Sequence, residues 1–372
     1  MTPIVQVLVF IIGLIAVIFT FSSALSAFVL PRAAGSQLNR IVFGGLRRVF
    51  EFILHFAKTY EQRDAIMAYY APIGLMLLVP TWYILISLGF AAMYWGLGVG
   101  NWFTVFQLSG SSIFTLGFAT ENTFIINAFE FVEAMLGLIL VALLIAYLPT
   151  MYAAFSRREQ AVNLLEVRAG SPPSALEMLL RFNRIHGLGN LKDYWRTWEA
   201  WFADVEESHT TLPTLVFFRS PRAENSWITA AGTVLDAAAL TLSAIDIPLE
   251  ASAALCIRSG FLAFRRIANY FDIPNPQDPH YPETSICVTR EEFYHILDQM
   301  DEAGVPLRAD REQAWKDFAG WRVNYDQSLI LLCGLVMAPG AAWSSDRAPR
   351  FKLPPMVVWK KNKARSKSIH VS

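Results

Sequence analysis

The sequence predicts an all-α membrane protein: three transmembrane helices, a re-entrant loop between the second and third, and a mainly helical cytosolic domain. Hydrophobic residues make up 54% of the 372 positions and charged residues only 17%, a balance unlike that of ordinary soluble proteins. The charges are also unevenly spread, with none from Met1 to Pro31, from Ala65 to Thr120 or from Ala134 to Ser156. About 20 apolar residues suffice for one crossing, so each run is long enough. From about residue 160 the chain turns polar, with apolar side chains recurring at helical spacing.

Residues 1–31 form the first transmembrane helix, stopped by Pro31 and Arg32. SALSAF offers the small residues of a signal-peptide cleavage site, but the run lacks a positive start and exceeds the usual apolar core of a signal. It is therefore read as a retained helix. Residues 32–71 are a cytoplasmic connector carrying Arg32, Arg40, Arg47, Arg48, Lys58 and Arg63. Within it Val42, Leu46, Val49, Phe50, Ile53, Leu54 and Phe56 fall mainly on one side of a helix. That pattern describes an amphipathic helix on the membrane surface, or one packed on another element.

The uncharged stretch 65–120 is too long for one crossing, and its character changes at Gly96–Asn101. We read an outer helix over about 72–98, a half-length helix over 102–113, an irregular Thr-Leu-Gly-Phe segment, and a long helix over 124–156 ending at Ser156-Arg157-Arg158. Arginines crowd the connector and the 157–158 end, whereas the 99–123 loop has no basic residue. The basic ends therefore face the cytoplasm, the amino terminus lies outside, and the 115–119 loop dips in from outside.

Residues 160–346 are expected to form the cytosolic helical domain. SPPSALEMLLRF opens with a serine cap and prolines before an apolar repeat. The alanine-rich stretch 227–264 is interrupted by Asp236, Asp246 and Glu250, so it reads as buried helices rather than another crossing. Residues 329–343 are too short to span; a core helix and a membrane-docked segment both fit them. Residues 347–372 are rich in Lys and Arg and free of Asp and Glu, as in a disordered tail available to anionic lipid.

Irregular backbone at membrane depth is tolerated only where it is buried in protein or lines a water-filled path. The Thr-Leu-Gly-Phe segment is therefore the functional candidate. The order outer helix, half-helix, Thr115-Leu116-Gly117-Phe118 and inner helix, over 72–156, resembles the pore module of the tetrameric potassium-channel superfamily, including its bacterial two-transmembrane-type members. The resemblance implies a cation channel subunit, potassium-conducting, that forms a central pore as a homotetramer. Backbone carbonyl rings of the filter would replace the water around a permeant monovalent cation. Thr115 would supply the innermost site through its hydroxyl and carbonyl, with the carbonyls of Leu116, Gly117 and Phe118 forming the next sites outward. Gly117 suits the positive φ that such a backbone needs. Gly137 and Pro149 on the inner helix stand where the family often bends, as gating candidates; packing alone is the other account of both.

The chain departs from the family pattern at Ala119, where the second filter glycine would stand, and at Thr120, where an acid often follows. A Cβ at Ala119 disfavours positive φ by about 1 kcal/mol, which makes a poorly selective cation pore the alternative reading. Phe118 lacks the hydroxyl of the family's tyrosine. Glu121 is expected at the outer mouth, where carboxylates concentrate cations. Glu130 and Glu133 either join it or serve the start of the inner helix.

Other classes find little in the sequence. Zero net charge gives no basic excess for nucleic acid. HGLGN at 186–190 lacks the spacing of a dinucleotide loop and reads as a turn. No cofactor or metal motif is expected from Cys256, Cys287 and Cys333 or from the scattered histidines. Tyr194, Trp195, Trp198, Trp201 and Phe202 have the spacing of core packing, with an aromatic ligand box as the minor alternative. An enzyme in the cytosolic region lacks any nucleophile, base and orienting-group pattern. A membrane-anchored signalling or scaffold protein, with the 115–118 segment a tight turn, is the remaining alternative. A bacterial inner membrane suits the simple topology.

Overall fold

The computed structural model describes residues 3–28, 37–248 and 251–349. Of the expected basic tail, residues 350–372 lie outside the described residues. Among those described the fold is helical, and its β structure is an isolated bridge between Ile245 and Leu307. Packing divides the chain into two units: Met1–Glu159 with Ser208–Arg219, and Gln160–Glu207 with Ser220–Ser372.

The first unit contains α1 (Pro3–Phe28), α2 (Gln37–Leu54), α3 (Tyr60–Ala68), α4 (Tyr70–Gly96), α5 (Trp102–Ile113) and the first part of α6 (Phe124–Ala169). Among the described residues three stretches are long and apolar enough to cross a membrane: Pro3–Phe28, Tyr60–Gly96 and Phe124–Ala169. Helix α1 buries a stripe of Gly13, Val17, Thr20, Ser23 and Ala24. Where these small residues meet α4 the backbones touch: a Cβ on Gly13 would collide with the Gly89 carbonyl, and one on Gly96 with that of Gln6. Apolar surface gives helices no reason to associate inside a bilayer, so such close van der Waals packing carries the contact. Rings add to it where Phe28 meets Trp82 at 5.1 Å and Tyr147 at 4.7 Å.

Of the two readings of the connector, packing on another element is the one seen for α2. Phe43, Leu46, Arg47 and Phe50 are buried, and Tyr70 Oη donates to the Phe43 carbonyl at 3.2 Å. The opposite side exposes Ile41, Val49, Phe52 and Phe56. Thr59 and Gln62 close a capping box that starts α3.

Helix α6 runs past the expected end at residue 156. Charge does not break a helix, and residues 157–169 contain no Gly or Pro, so helical bonding continues until Gly170 takes a left-handed φ of 78°. Pro149 lies inside this helix without ending it. Arg158 is fully buried, donating to the carbonyls of Leu215 and Phe218 at 2.9 and 2.7 Å and pairing with Glu159. Arg219 pairs with Asp64, so residues 208–219 are anchored to α3 as well as to α6.

The second unit holds the rest of α6 and α7 (Ala175–Arg184), most of α8 (Leu191–Thr211), α9 (Trp227–Ser243), α10 (Ala251–Tyr270), α11 (Arg290–Glu302), α12 (Arg311–Arg322) and α13 (Asp326–Val336). The helix start expected in this stretch is present, but its cap is Ser174, after the prolines, rather than the opening serine. Helix α9 is buried along its whole length, as the 227–264 stretch suggested. Trp195, Trp198, Trp201 and Phe202 are core, and so are Leu329, Leu332, Cys333 and Leu335 of α13, which favours the core-helix reading of that segment. The HGLGN stretch folds as a turn and a short 3-10 helix.

At the centre of this unit Arg322 bonds Asp236, Asp326 at 2.7 Å and the Trp343 carbonyl at 2.5 Å, and Tyr325 Oη donates to Asp236 at 2.8 Å. Burial disfavours the Arg322 cation, but the carboxylates of Asp236 and Asp326 outweigh it and hold its pKa well above the ordinary value. Cys287 Sγ donates to Asp326 at 3.0 Å, and burial pushes its pKa up to about 12. The thiol is thus packed rather than reactive.

Candidate functional site

The site is built on α5. Asn101 caps its start, accepting from the Thr104 amide at 3.0 Å. Twelve residues give a length of about 18 Å, too short to cross a hydrocarbon core of about 30 Å. The half-length helix expected over 102–113 is therefore present with those limits.

Its carboxyl end closes as a Schellman motif. Thr115 takes φ 54° and donates its amide to the Ser112 carbonyl at 2.9 Å, while the Leu116 amide donates to that of Ser111 at 2.8 Å. Gly117 follows with φ 69° and donates to the Ser111 carbonyl at 3.4 Å. The Ala119 amide donates to Ser111 Oγ at 3.0 Å. Ala119 stays outside the positive-φ region, so the strain expected from its Cβ is avoided by a different backbone. Thr115, a β-branched residue, occupies that region instead.

The amides of residues 115, 116, 117 and 119 are thus spent on α5. Among the described residues, no hydrogen bond uses the carbonyl oxygens of Thr115, Leu116, Gly117 or Phe118. The Thr115 hydroxyl donates to the Phe114 carbonyl at 2.7 Å and keeps its lone pairs. Leu116 and Phe118 are each 63% exposed, and Phe114 beside them is exposed too.

Helices α4 and α6 hold α5 from behind. Glu130, Glu133, Gly137 and Leu140 form one buried stripe on α6, at spacings of three and four. On α4, Tyr83 Oη donates to the Gly137 carbonyl at 2.6 Å, and its ring stacks on Phe114 at 5.2 Å. Tyr94 Oη donates to Glu133 Oε2 at 2.9 Å, and Ser109 Oγ lies 2.5 Å from Glu133 Oε1. A Cβ on Gly137 would collide with the Ile113 carbonyl oxygen, which gives this glycine a packing role.

Glu130 and Glu133 were read as mouth carboxylates or caps, and the structure separates them. Glu133 is fully buried against α4 and α5, and Glu130 Oε1 accepts the Glu121 amide at 3.1 Å. Glu121 itself is half-buried beside the segment, while Pro149 lies far along α6 and is exposed.

Sequence reasoning missed Tyr83, Ser87, Tyr94, Ser109 and Ser111. A signal was available: Tyr83, Ser87 and Tyr94 share a face of an otherwise apolar helix, and three serines sit in the last turns of α5. Among the described residues no cluster of three His, Cys, Asp or Glu side chains could hold a metal ion. No known protein family, curated protein or solved structure matches the chain.

Proposed function

We propose that this chain is a subunit of a cation channel, a homotetramer in which four Thr115–Ala119 segments face one axis. In this reading α1, α4 and α6 cross the membrane, α5 and its segment are re-entrant, and the second unit is cytosolic. The observation that carries it is the hydrogen-bond accounting of residues 115–118, whose amides are committed to α5 while their carbonyls are not. Carbonyls without donors at membrane depth cost several kcal/mol each. A dehydrated cation removes that cost by taking them as ligands.

Opposite backbone hands at successive residues, set by the positive φ of Thr115 and Gly117, favour turning neighbouring carbonyls toward a common side. One chain cannot surround an ion, whereas a rotational assembly can. The exposed Phe114, Leu116 and Phe118 give neighbouring copies an apolar surface to cover. Glu121 would raise the local cation concentration at the mouth. The exposed face of α2, together with the connector arginines, suits an interface rich in anionic lipid. The permeant cation is potassium on the family pattern, and no catalytic group or cofactor is needed.

One observation favours the poorly selective version: Ala119 does not adopt the positive φ of the family's second glycine. The scaffold reading draws on the Schellman closure, which completes a helix without any ion. The test is the reversal potential of the purified protein in a planar bilayer with potassium on one side and sodium on the other. A large displacement toward the potassium equilibrium is expected. A reversal near zero that Ala119→Gly moves toward potassium would assign a poorly selective pore, and absence of current from a verified tetramer would overturn the channel reading.

A further inference from the structure

Helix α5 carries the segment, and what fixes α5 is a polar cluster whose protons can be counted. Ser109 Oγ has three oxygen neighbours: Glu133 Oε1 at 2.5 Å, the Ser87 carbonyl at 3.0 Å and Ser87 Oγ at 2.7 Å. Tyr94 Oη donates to the other oxygen of Glu133. A serine hydroxyl offers one proton and two lone pairs. The Ser87 carbonyl and an ionised Glu133 can both only accept, and the one Ser109 proton can serve only one of them. The contact with Ser87 Oγ uses the Ser87 proton. All three contacts are hydrogen bonds at once only if the carboxyl group supplies a further proton. With that proton every contact in the cluster has one donor and one acceptor; without it two lone pairs face each other.

We infer that Glu133 is a protonated carboxylic acid, and that it is the positioning residue that holds α5 between α4 and α6. Its part in conduction rests on the channel reading; its proton does not. The groups around it agree with a neutral acid. Tyr94 is the ionisable group facing it from α4, and Glu130 precedes it by one turn on α6 with one oxygen taken by the Glu121 amide. Helices α1, α4 and α5 contain no Lys, Arg or His that could balance a charge, and α1 and α5 contain no titratable side chain at all. An unpaired ion in such a place is far more costly than the neutral acid.

The placement has a consequence for the segment. Ser109 lies two residues before Ser111, which receives the amides of Leu116, Gly117 and Ala119 through its carbonyl and hydroxyl oxygens. A shift of α5 along its axis would move those anchors together. Loss of the Glu133 proton would leave one proton too few for these contacts and place an unbalanced charge in the cluster.

Full-length protein in lipid vesicles allows two independent readouts. Infrared difference spectra between wild type and E133Q report a protonated carboxyl directly, and reversal potentials under a potassium/sodium gradient report the segment. At neutral pH the wild type should show a protonated-carboxyl band that E133Q lacks. Gln supplies the same donor and acceptor as the neutral acid, so E133Q should keep the wild-type reversal potential. E133A should move the reversal potential toward zero, and S109A serves the same purpose if E133A fails to fold. Absence of the band would overturn the protonated state. Equal loss in E133Q and E133A, or no change in E133A, would overturn the positioning role. A wild type that shows the band but passes no current would defeat the channel reading alone.

Discussion

Asp236 in the second unit and Glu133 in the first are both carboxyl groups withdrawn from solvent, 3% and 0% exposed, yet they are met by different partners. Asp236 faces the Arg322 guanidinium, with Tyr325 as a further donor. Glu133 faces only the hydroxyls of Ser109 and Tyr94. The second unit can import an arginine because its helices lie in a polar sequence. If α6 spans a bilayer as proposed, each Arg there would cost about 2.5–3.5 kcal/mol on insertion, which favours a proton and hydroxyl partners over a cation beside Glu133. Both solutions satisfy a buried acid, but only the first leaves two full charges dependent on each other.

The largest test of that contrast removes the cation. Arg322→Met leaves Asp236 and Asp326 buried without a counter-charge, and should destabilise the protein by about 3–5 kcal/mol, read as a lowered urea midpoint. A smaller loss than that of a surface mutant would show that water or protonation replaces the arginine. In the first unit, Gly137→Ala should cost about 1–3 kcal/mol by overpacking α6 against the Ile113 carbonyl, read as a lower melting temperature in detergent. An unchanged melt would mean that α6 can retreat from α5 freely. Thr289→Ala breaks the capping box of α11 and should cost about 1 kcal/mol, read as a small fall in the urea midpoint.

The smallest expected effect is a pH dependence. Burial raises the Cys287 pKa to about 12, above the ordinary thiol value of about 8.5. A folded pKa above the unfolded one means that the thiol's contribution is complete below about pH 8.5 and is lost as pH rises toward 12. Urea midpoints should therefore decline over that window in the wild type, and less steeply in Cys287→Ala. Thiol reagents should label Cys256, Cys287 and Cys333 only on unfolding, because burial raises all three pKa values.

Much of this arrangement is written locally. Runs without charge set α1, α4 and α6, Asn101 sets the start of α5, and the serine before α7 sets that helix. The end of α6 was misread because Arg157 and Arg158 were taken as a stop, when the real stop is Gly170. The cluster behind α5 was not legible for another reason. Periodicity shows that Glu133 and Gly137 share a face, and that Tyr83 and Tyr94 share another, but not that these two faces meet. That pairing is a long-range contact, fixed by how closely glycine lets α6 approach α5. Glu130 and Glu133 looked like residues of a helix start because acids suit that end, and their burial emerges only once α4 and α5 cover them.

Thr115 sits in a backbone region where a β-branched side chain is strained, at a helix end where glycine would be at ease. Thr115→Gly should therefore make the protein more resistant to heat while deleting the one side-chain oxygen in the segment. If the segment binds cations as proposed, the residue that folds best and the residue that binds best differ at this position, and a search for thermostable variants would select against the innermost ligand.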